Sequence, residues 1–246
     1  MRHSGVVPPS VPPRAPDAAP ASGVGRADAW FAHPGRSVAW ERRLGPLDPL
    51  ERGRLAALRE PMAARAYAVL HVLARDVLGQ VVGAKPGQLV FDRTCARCGD
   101  EHGSPRLVGH PGVHVSLSRT PDLVAVAVST DAPVGVDVER VAATRFAGFD
   151  GVAMHPSERS RDLDDAARAV SWVRKEAALK ALGAGFVVDP AALRTPQPGR
   201  AVLVLPDRPP VTVVDLPLGD GGHVGALALA AAYGTVEVTA HEAPGD

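Results

Sequence analysis

The sequence predicts an α+β protein made of two similar halves, each a helix packed with antiparallel strands. Three observations carry that prediction. Apolar residues recur at helical spacing in two long stretches, one in each half. Short β-branched runs punctuated by Pro, Gly and Asp occur in both halves. With 246 residues, 46% of them hydrophobic, the chain is long enough to bury two such units. The division is expected near residue 130, giving a tail over residues 1–27 and units over 28–130 and 131–246, although no literal repeat marks a duplication.

Taken in order, residues 1–27 hold Pro8, Pro9, Pro12, Pro13, Pro16 and Pro20 among Ala, Ser and Gly, the composition of a disordered tail. Residues 30–44 suit a strand around Ser37, Val38, Ala39 and Trp40. Asp48 is placed to cap a helix with Pro49 at its first position and Glu51 at its third. Pro61 interrupts, and a second helix is expected over 62–78, with Ala66, Val69, Leu70, Leu73 and Val77 on one face and Gly79 past its end. A short strand at 89–91 precedes a turn-rich stretch over 95–105. Strands at 113–117, 123–128 and 134–138, joined through Pro121-Asp122 and Asp131-Ala132-Pro133, predict an antiparallel meander. A helix from Asp164 to Gly183 would bury Val170, Val173, Ala177 and Ala181, and strands at 202–205, 211–214, 226–232 and 236–239 would follow.

Composition narrows the function. Lys+Arg and Asp+Glu both number 27, for a formal charge of zero, which argues against wholesale binding to nucleic acid or anionic membrane. No basic segment followed by an apolar core opens the chain, and no apolar run reaches about 18 residues, so neither a signal peptide nor a membrane span is expected. The two cysteines, Cys95 and Cys98, are too few for a disulfide scaffold and fit a reducing, cytoplasmic setting. Ile and Asn are absent, and the cations are 24 Arg against three Lys (Lys85, Lys175 and Lys180), as in a GC-rich coding sequence. Where Arg is the default cation, a Lys marks a position to test.

Asp137 and Glu139 flank Val138 in Gly135-Val136-Asp137-Val138-Glu139, so on a strand both carboxylates share a face, opposite Val136 and Val138. Carboxylates so placed repel unless a cation lies between them, and oxygen-only ligation suits Mg²⁺. A solvated acidic strand end would read the same way. On the helix, Trp172, Glu176 and Lys180 form one stripe. A Glu–Lys pair at this spacing also serves any exposed helix for a few tenths of a kcal/mol.

Together the two segments resemble paired signatures of the 4′-phosphopantetheinyl transferases of the surfactin type. They are Gly135-Val136-Asp137-Val138-Glu139 and, after it, Trp172-Val173-Arg174-Lys175-Glu176-Ala177-Ala178-Leu179-Lys180. The resemblance extends upstream to Glu101-His102-Gly103-Ser104-Pro105 and Ser116-Leu117-Ser118-Arg119-Thr120. It implies a fold of two α+β subdomains related by a pseudo-twofold, with coenzyme A between them and the metal site in the second. The implied reaction moves 4′-phosphopantetheine from coenzyme A to a serine of an apo acyl or peptidyl carrier protein and releases adenosine 3′,5′-bisphosphate. Asp137, Glu139 and Glu176 would be the Mg²⁺ ligands, Lys180 would meet the pyrophosphate, and Glu176 or a metal-bound water would be the base. Arg65, Ser104, Pro105, Arg106, Ser118, Arg119 and Lys175 would contact the coenzyme, in a chain expected to be a monomer.

This chain departs from the pattern where the family commonly has Gly-Lys-Pro and it has Gly103-Ser104-Pro105, and where Ser-His-Ser is replaced by Ser118-Arg119-Thr120. The first departure keeps open a non-catalytic coenzyme A or carrier-protein binder with a decayed site, and the three carboxylates alone would also suit an unrelated Mg²⁺-dependent phosphohydrolase. Arg140, Arg145, Arg159 and Arg161 are candidates for a basic surface meeting the acidic helix of a carrier protein. Cys95, Cys98 and His102, with His110 or His114 beyond, sketch a zinc site, but four ligands at recognisable spacing are not present, and the stretch reads as a glycine-containing turn with two free thiols.

Overall fold

The computed structural model describes residues 22–36, 40–160, 162–185, 188–219 and 221–243. In chain order its strands and α-helices are β1 (Val24–Ala32), α1 (Pro49–Ala57), α2 (Pro61–Val82), β2 (Phe91–Asp92), β3 (Arg106–Leu107), β4 (His114–Arg119), β5 (Val124–Ser129), β6 (Val134–Arg140), α3 (Phe149–Ala153), α4 (Asp165–Ala181), β7 (Ala201–Val202), β8 (Val211–Asp215), β9 (His223–Leu229) and β10 (Thr235–Glu242). They form one sheet in the order β10-β1-β5-β4, a second in the order β6-β9-β8-β7, and a β2–β3 ribbon.

Side-chain alternation sets the layers. On β5, Val124, Val126 and Val128 pack under α2 with Leu70, Ala74 and Leu78. Its alternate residues Ala125 and Ala127 join Ala27 and Ala29 of β1, and they meet Val134, Val136 and Val138 of β6 and Leu227 and Leu229 of β9. Ala226 and Ala228, on the other face of β9, pack with Val211 and Val213 against Val173, Ala177 and Ala181 of α4. The result is four layers, α2, first sheet, second sheet and α4, an α+β arrangement as expected.

Local signals fix the helix ends. Asp48 accepts from the Glu51 amide (2.8 Å) while Glu51 accepts from the Asp48 amide (3.0 Å), closing a capping box at α1. The same two carboxylates hold Arg75 of α2, Glu51 at 2.7 Å and Asp48 at 2.8 Å, and Arg93 joins them, so a buried ion cluster ties α1 to α2 and to the approach to β3. Burial alone would push the Glu51 carboxyl up, but hydrogen bonds from His71, Arg75 and the Asp48 amide outweigh it and hold the pKa at about 2.

The structure corrects several expectations. The first strand is β1, which begins at Val24, inside the span read as tail. Of the expected strand near residues 30–44, Ser37, Val38 and Ala39 lie outside the described residues, and Trp40 opens a 3-10 turn. Residues 1–21 of the expected tail also lie outside them. The second helix continues through Gly79 to Val82 and ends at Gly83, whose φ of 68° is left-handed. Gly79 is required for another reason: a Cβ there would lie 2.7 Å from the Ala84 carbonyl oxygen, which folds back over the helix end. The meander stops at two strands, because β6 leaves β5 and pairs with β9 instead. Finally, β10 leaves its own half and runs parallel to β1, a long-range pairing that no local pattern signals.

Candidate functional site

Gly135 controls the assembly of the site. A Cβ on it would stand 2.0 Å from the Ala177 carbonyl oxygen and 2.5 Å from the Ala181 amide nitrogen, so only glycine lets α4 lie this close to β6. Val134, Val136 and Val138 point into the core between the sheets, which turns Asp137 and Glu139 to the opposite face, as expected from their spacing. Lys180 then reaches from α4 onto β6. Its ammonium donates to Asp137 Oδ1 (2.7 Å), the Val136 carbonyl (3.0 Å) and the Leu117 carbonyl (3.4 Å).

The third contributor is β4, the edge of the first sheet, which lies beside β6, the edge of the second. No ladder joins the two strands. Ser116 Oγ accepts from the Val136 amide (3.0 Å) and Ser118 Oγ from the Val138 amide (3.2 Å), while the Ser118 hydroxyl donates to Asp137 Oδ1 at 2.8 Å. Asp137 is thus a buried carboxylate, 7% exposed, held by one ammonium and one hydroxyl.

Electrostatics single out the two glutamates. Burial pushes the Glu176 carboxyl up, and the charge of Asp137 adds to this while Lys180 opposes it. Burial likewise raises Glu139; a hydrogen bond from the Arg140 amide opposes the rise and Asp137 adds to it. An all-oxygen set in which two carboxylates are raised by burial and by a shared neighbour is what a hard divalent cation relieves, so the donor chemistry fits Mg²⁺. The three groups are not drawn to one point. Among the described residues, the trio of acidic, His or Cys side chains whose ligand atoms all lie within 4.8 Å of one another is Cys95, Cys98 and His102.

Among the residues expected to meet the coenzyme, Arg119 is exposed, with its guanidinium 5.5 Å above the Tyr67 ring and a 3.4 Å bond to the Ala63 carbonyl of α2. Arg65 lies half-buried two residues further along α2. The Tyr67 hydroxyl, beneath Arg119, is buried without a hydrogen-bond partner of proper geometry, and burial pushes its pKa up. Tyr67 had no distinguishing sequence signal, because a Tyr on the apolar face of a helix reads as core. Ser104 is exposed and Pro105 half-buried on the loop after Gly103, whose amide donates to the Arg93 carbonyl at 2.7 Å. Arg54 of α1 donates to the Glu101 carbonyl in the same loop. Arg106 faces Asp92 in an exposed ion pair at 2.8 Å.

Two expectations fail. Lys175 is 0% exposed, donating to the Ala153 carbonyl (2.8 Å) and the Pro190 carbonyl (3.2 Å) and pairing with Glu158 (3.2 Å). Burial lowers its pKa, Glu158 opposing, and it is an internal anchor rather than a coenzyme contact. In the arginine surface, Arg140 pairs with Asp122 and Arg145 with Asp165, each at 2.8 Å, so two of its four members are not free cations, while Arg159 donates to the Met154 carbonyl. Arg161 lies outside the described residues.

Asp122, at the β4–β5 turn, also accepts from Thr120 (2.8 Å) and lies 3.0 Å from His223 of β9. Burial opposes its ionisation, but the bonds from Arg140, His223 and Thr120 hold its carboxyl well below the usual range. A separate cavity of about 870 Å³, lined by Trp30, His33, Leu73, Asp76 and His241 among others, lies between α2 and the β1–β10 edge and contains none of the candidate residues.

Residues 133–210 match the family model described as the 4′-phosphopantetheinyl transferase superfamily. The matched segment runs from β6 through α4 to β7 and contains Asp137, Glu139, Glu176 and Lys180, while Arg65, Ser104, Pro105, Arg106, Ser118 and Arg119 precede it. No curated protein matches the chain. Among the described residues, no helix is long and apolar enough to cross a membrane.

Proposed function

We propose that the protein is a Mg²⁺-dependent transferase of the surfactin-type group, moving 4′-phosphopantetheine from coenzyme A to a serine of an apo acyl or peptidyl carrier protein. The observation that supports this reading is that the superfamily match falls on the strand that carries Asp137 and Glu139 and the helix that carries Glu176 and Lys180, joined by the Lys180–Asp137 contact. The serine oxygen forms a bond to the β-phosphorus, the pyrophosphate bond breaks, and adenosine 3′,5′-bisphosphate leaves. Asp137, Glu139 and Glu176 would hold the metal, which when bound offsets the charge on the pyrophosphate.

The chain's own groups supply the rest. Lys180, bonded to three oxygens, places its ammonium at the seam of the two sheets, suited to the leaving oxygen. Glu176 would be positioned to take the serine proton. Arg65, Ser104, Pro105, Arg106, Ser118 and Arg119 line the coenzyme side, Arg119 supplying a fork suited to a phosphate. The paired helix-and-sheet layers, α2 on the first sheet and α4 on the second, favour two subdomains, the first of which takes β10 from the end of the chain; the expected state is a cytoplasmic monomer.

The test is incubation of the full chain with coenzyme A, Mg²⁺ and a panel of apo carrier proteins, read by intact mass. A gain of one phosphopantetheine on a carrier is expected. Coenzyme A binding with no carrier modified would indicate a non-catalytic binder, and coenzyme A cleavage without acceptor a phosphohydrolase; either result overturns the proposal.

A further inference from the structure

The loop between β2 and β3 carries chemistry that the transferase reading does not use. It projects from a ribbon of two-residue strands, and from Thr94 to Arg106 its residues are exposed or half-buried, so it has little apolar core of its own. Backbone bonds close it instead. The Gly99 amide donates to the Cys95 carbonyl (2.9 Å), the Cys95 amide to the Asp100 carbonyl (2.8 Å) and the His102 amide to the same Asp100 carbonyl (3.0 Å). Gly99 makes the turn at φ +80°, and Gly103 lets the chain pass Thr94, whose carbonyl oxygen would lie 2.7 Å from a Cβ there.

This folding brings three soft ligands together from an eight-residue segment. The Cys98 sulfur lies 2.9 Å from His102 Nε2, and the two sulfurs and a His102 nitrogen are all within 4.8 Å of one another. Both thiols are free. The amides of Cys98 and Arg97 are directed at the Cys95 sulfur. A glycine-containing turn with idle thiols gives no reason for an imidazole nitrogen to be seated against one of them.

We propose that Cys95, Cys98 and His102 bind one zinc-class divalent ion, tetrahedrally, with solvent as the fourth ligand. Two thiolates and one imidazole select a soft or borderline metal over Mg²⁺, so the site is chemically separate from the carboxylate set. Binding releases one proton from each thiol to solvent, leaving two thiolates, a neutral imidazole and a dication with no net charge. The ion staples a loop that lacks a core, much as metals stabilise other small elements. Through Glu101, whose carbonyl accepts from Arg54, and Gly103, whose amide bonds to Arg93, it fixes the loop against α1 and the buried ion cluster.

The test uses the full chain, reduced and stripped of metal by chelation. Titration with Co²⁺ alone is expected to produce thiolate-to-metal absorption saturating at one ion per chain, unaffected by excess Mg²⁺. In the wild-type protein, one equivalent of Zn²⁺ should slow alkylation of both cysteines by about tenfold or more, a readout that does not depend on any variant folding. His102→Ala should weaken the Co²⁺ bands without removing them. Co²⁺ spectra without thiolate bands, or alkylation unchanged by Zn²⁺, would overturn the proposal.

Discussion

Gly135→Ala offers the most direct test of how the site is held together. The added methyl would start 2.0 Å from the Ala177 carbonyl oxygen, and ordinary contact begins at 3.4 Å, so α4 has to retreat by about 1.4 Å or β6 has to bend by as much. Neither motion is free. Val173, Ala177 and Ala178 are 0% exposed and already pack without slack against β6 and β9. Overpacking of this kind costs about 3 kcal/mol, the upper part of the usual range, because the clash is with backbone rather than a movable side chain. Lys180 rides on the same helix, and a retreat of this size breaks its 2.7 Å contact with Asp137. Displacement of a positioned group by about 1 Å lowers activity on the order of 10²-fold. The assays are a urea unfolding midpoint and carrier-priming kcat/KM. Ala177→Gly in the same chain should not rescue either, since it removes a methyl and leaves the carbonyl. An unchanged midpoint with normal turnover would refute the argument that Gly135 sets the distance between strand and helix.

Ser118→Ala removes the hydroxyl bridging Asp137 and the Val138 amide and leaves a buried donor unpaired, so unfolding measurements should show a loss of about 1–3 kcal/mol. Lys175→Met should lower the unfolding midpoint while leaving KM for coenzyme A unchanged; a raised KM would return Lys175 to the coenzyme site. Glu51 is depressed in the folded state, so its contribution is present above about pH 4.5 and is lost as the pH falls toward 2. The drop from 4.5 to about 2 corresponds to about 3 kcal/mol, and Glu51→Gln should flatten the dependence of stability on pH across that window. Lys180→Met should cut kcat for priming by at least about 10²-fold, and near-normal turnover would remove it from the reaction.

What could be read from the sequence was local. The capping box at Asp48, the shared face of Asp137 and Glu139, and the start of α4 after Asp164 each depend on residues within a few positions, and the structure places them as expected. The long-range pairings escaped. A strand at Val24–Ala32 was hidden by the Pro-rich segment before it, and its parallel partner β10 lies at the other end of the chain. Lys175 misled for a different reason: rarity of lysine identifies a residue under constraint but says nothing about direction. Adjacent helix positions diverge by about 100°, so with Lys180 turned onto Asp137 of β6, Lys175 is turned elsewhere, onto the buried Ala153 carbonyl.

Ser116 and Ser118 show why chemistry gathers at this place. When β6 leaves the first sheet to open the second, two strand edges are left side by side, each with backbone groups that need partners. A third ladder would have satisfied them and sealed the gap with apolar side chains. Instead the serines take the Val136 and Val138 amides, and Lys180 takes the Leu117 and Val136 carbonyls, so a polar seam is built into the interior. Asp137 sits on that seam and is bonded by both sets of donors through a single oxygen, Oδ1. The charged groups therefore belong to the joint between the sheets, and any substitution there acts on fold and site together. That coupling is why kinetic effects at Ser118, Gly135 and Lys180 have to be measured beside stability, and why Glu176, half-buried on the helix surface and outside the seam's hydrogen bonds, is the cleaner probe of the chemistry.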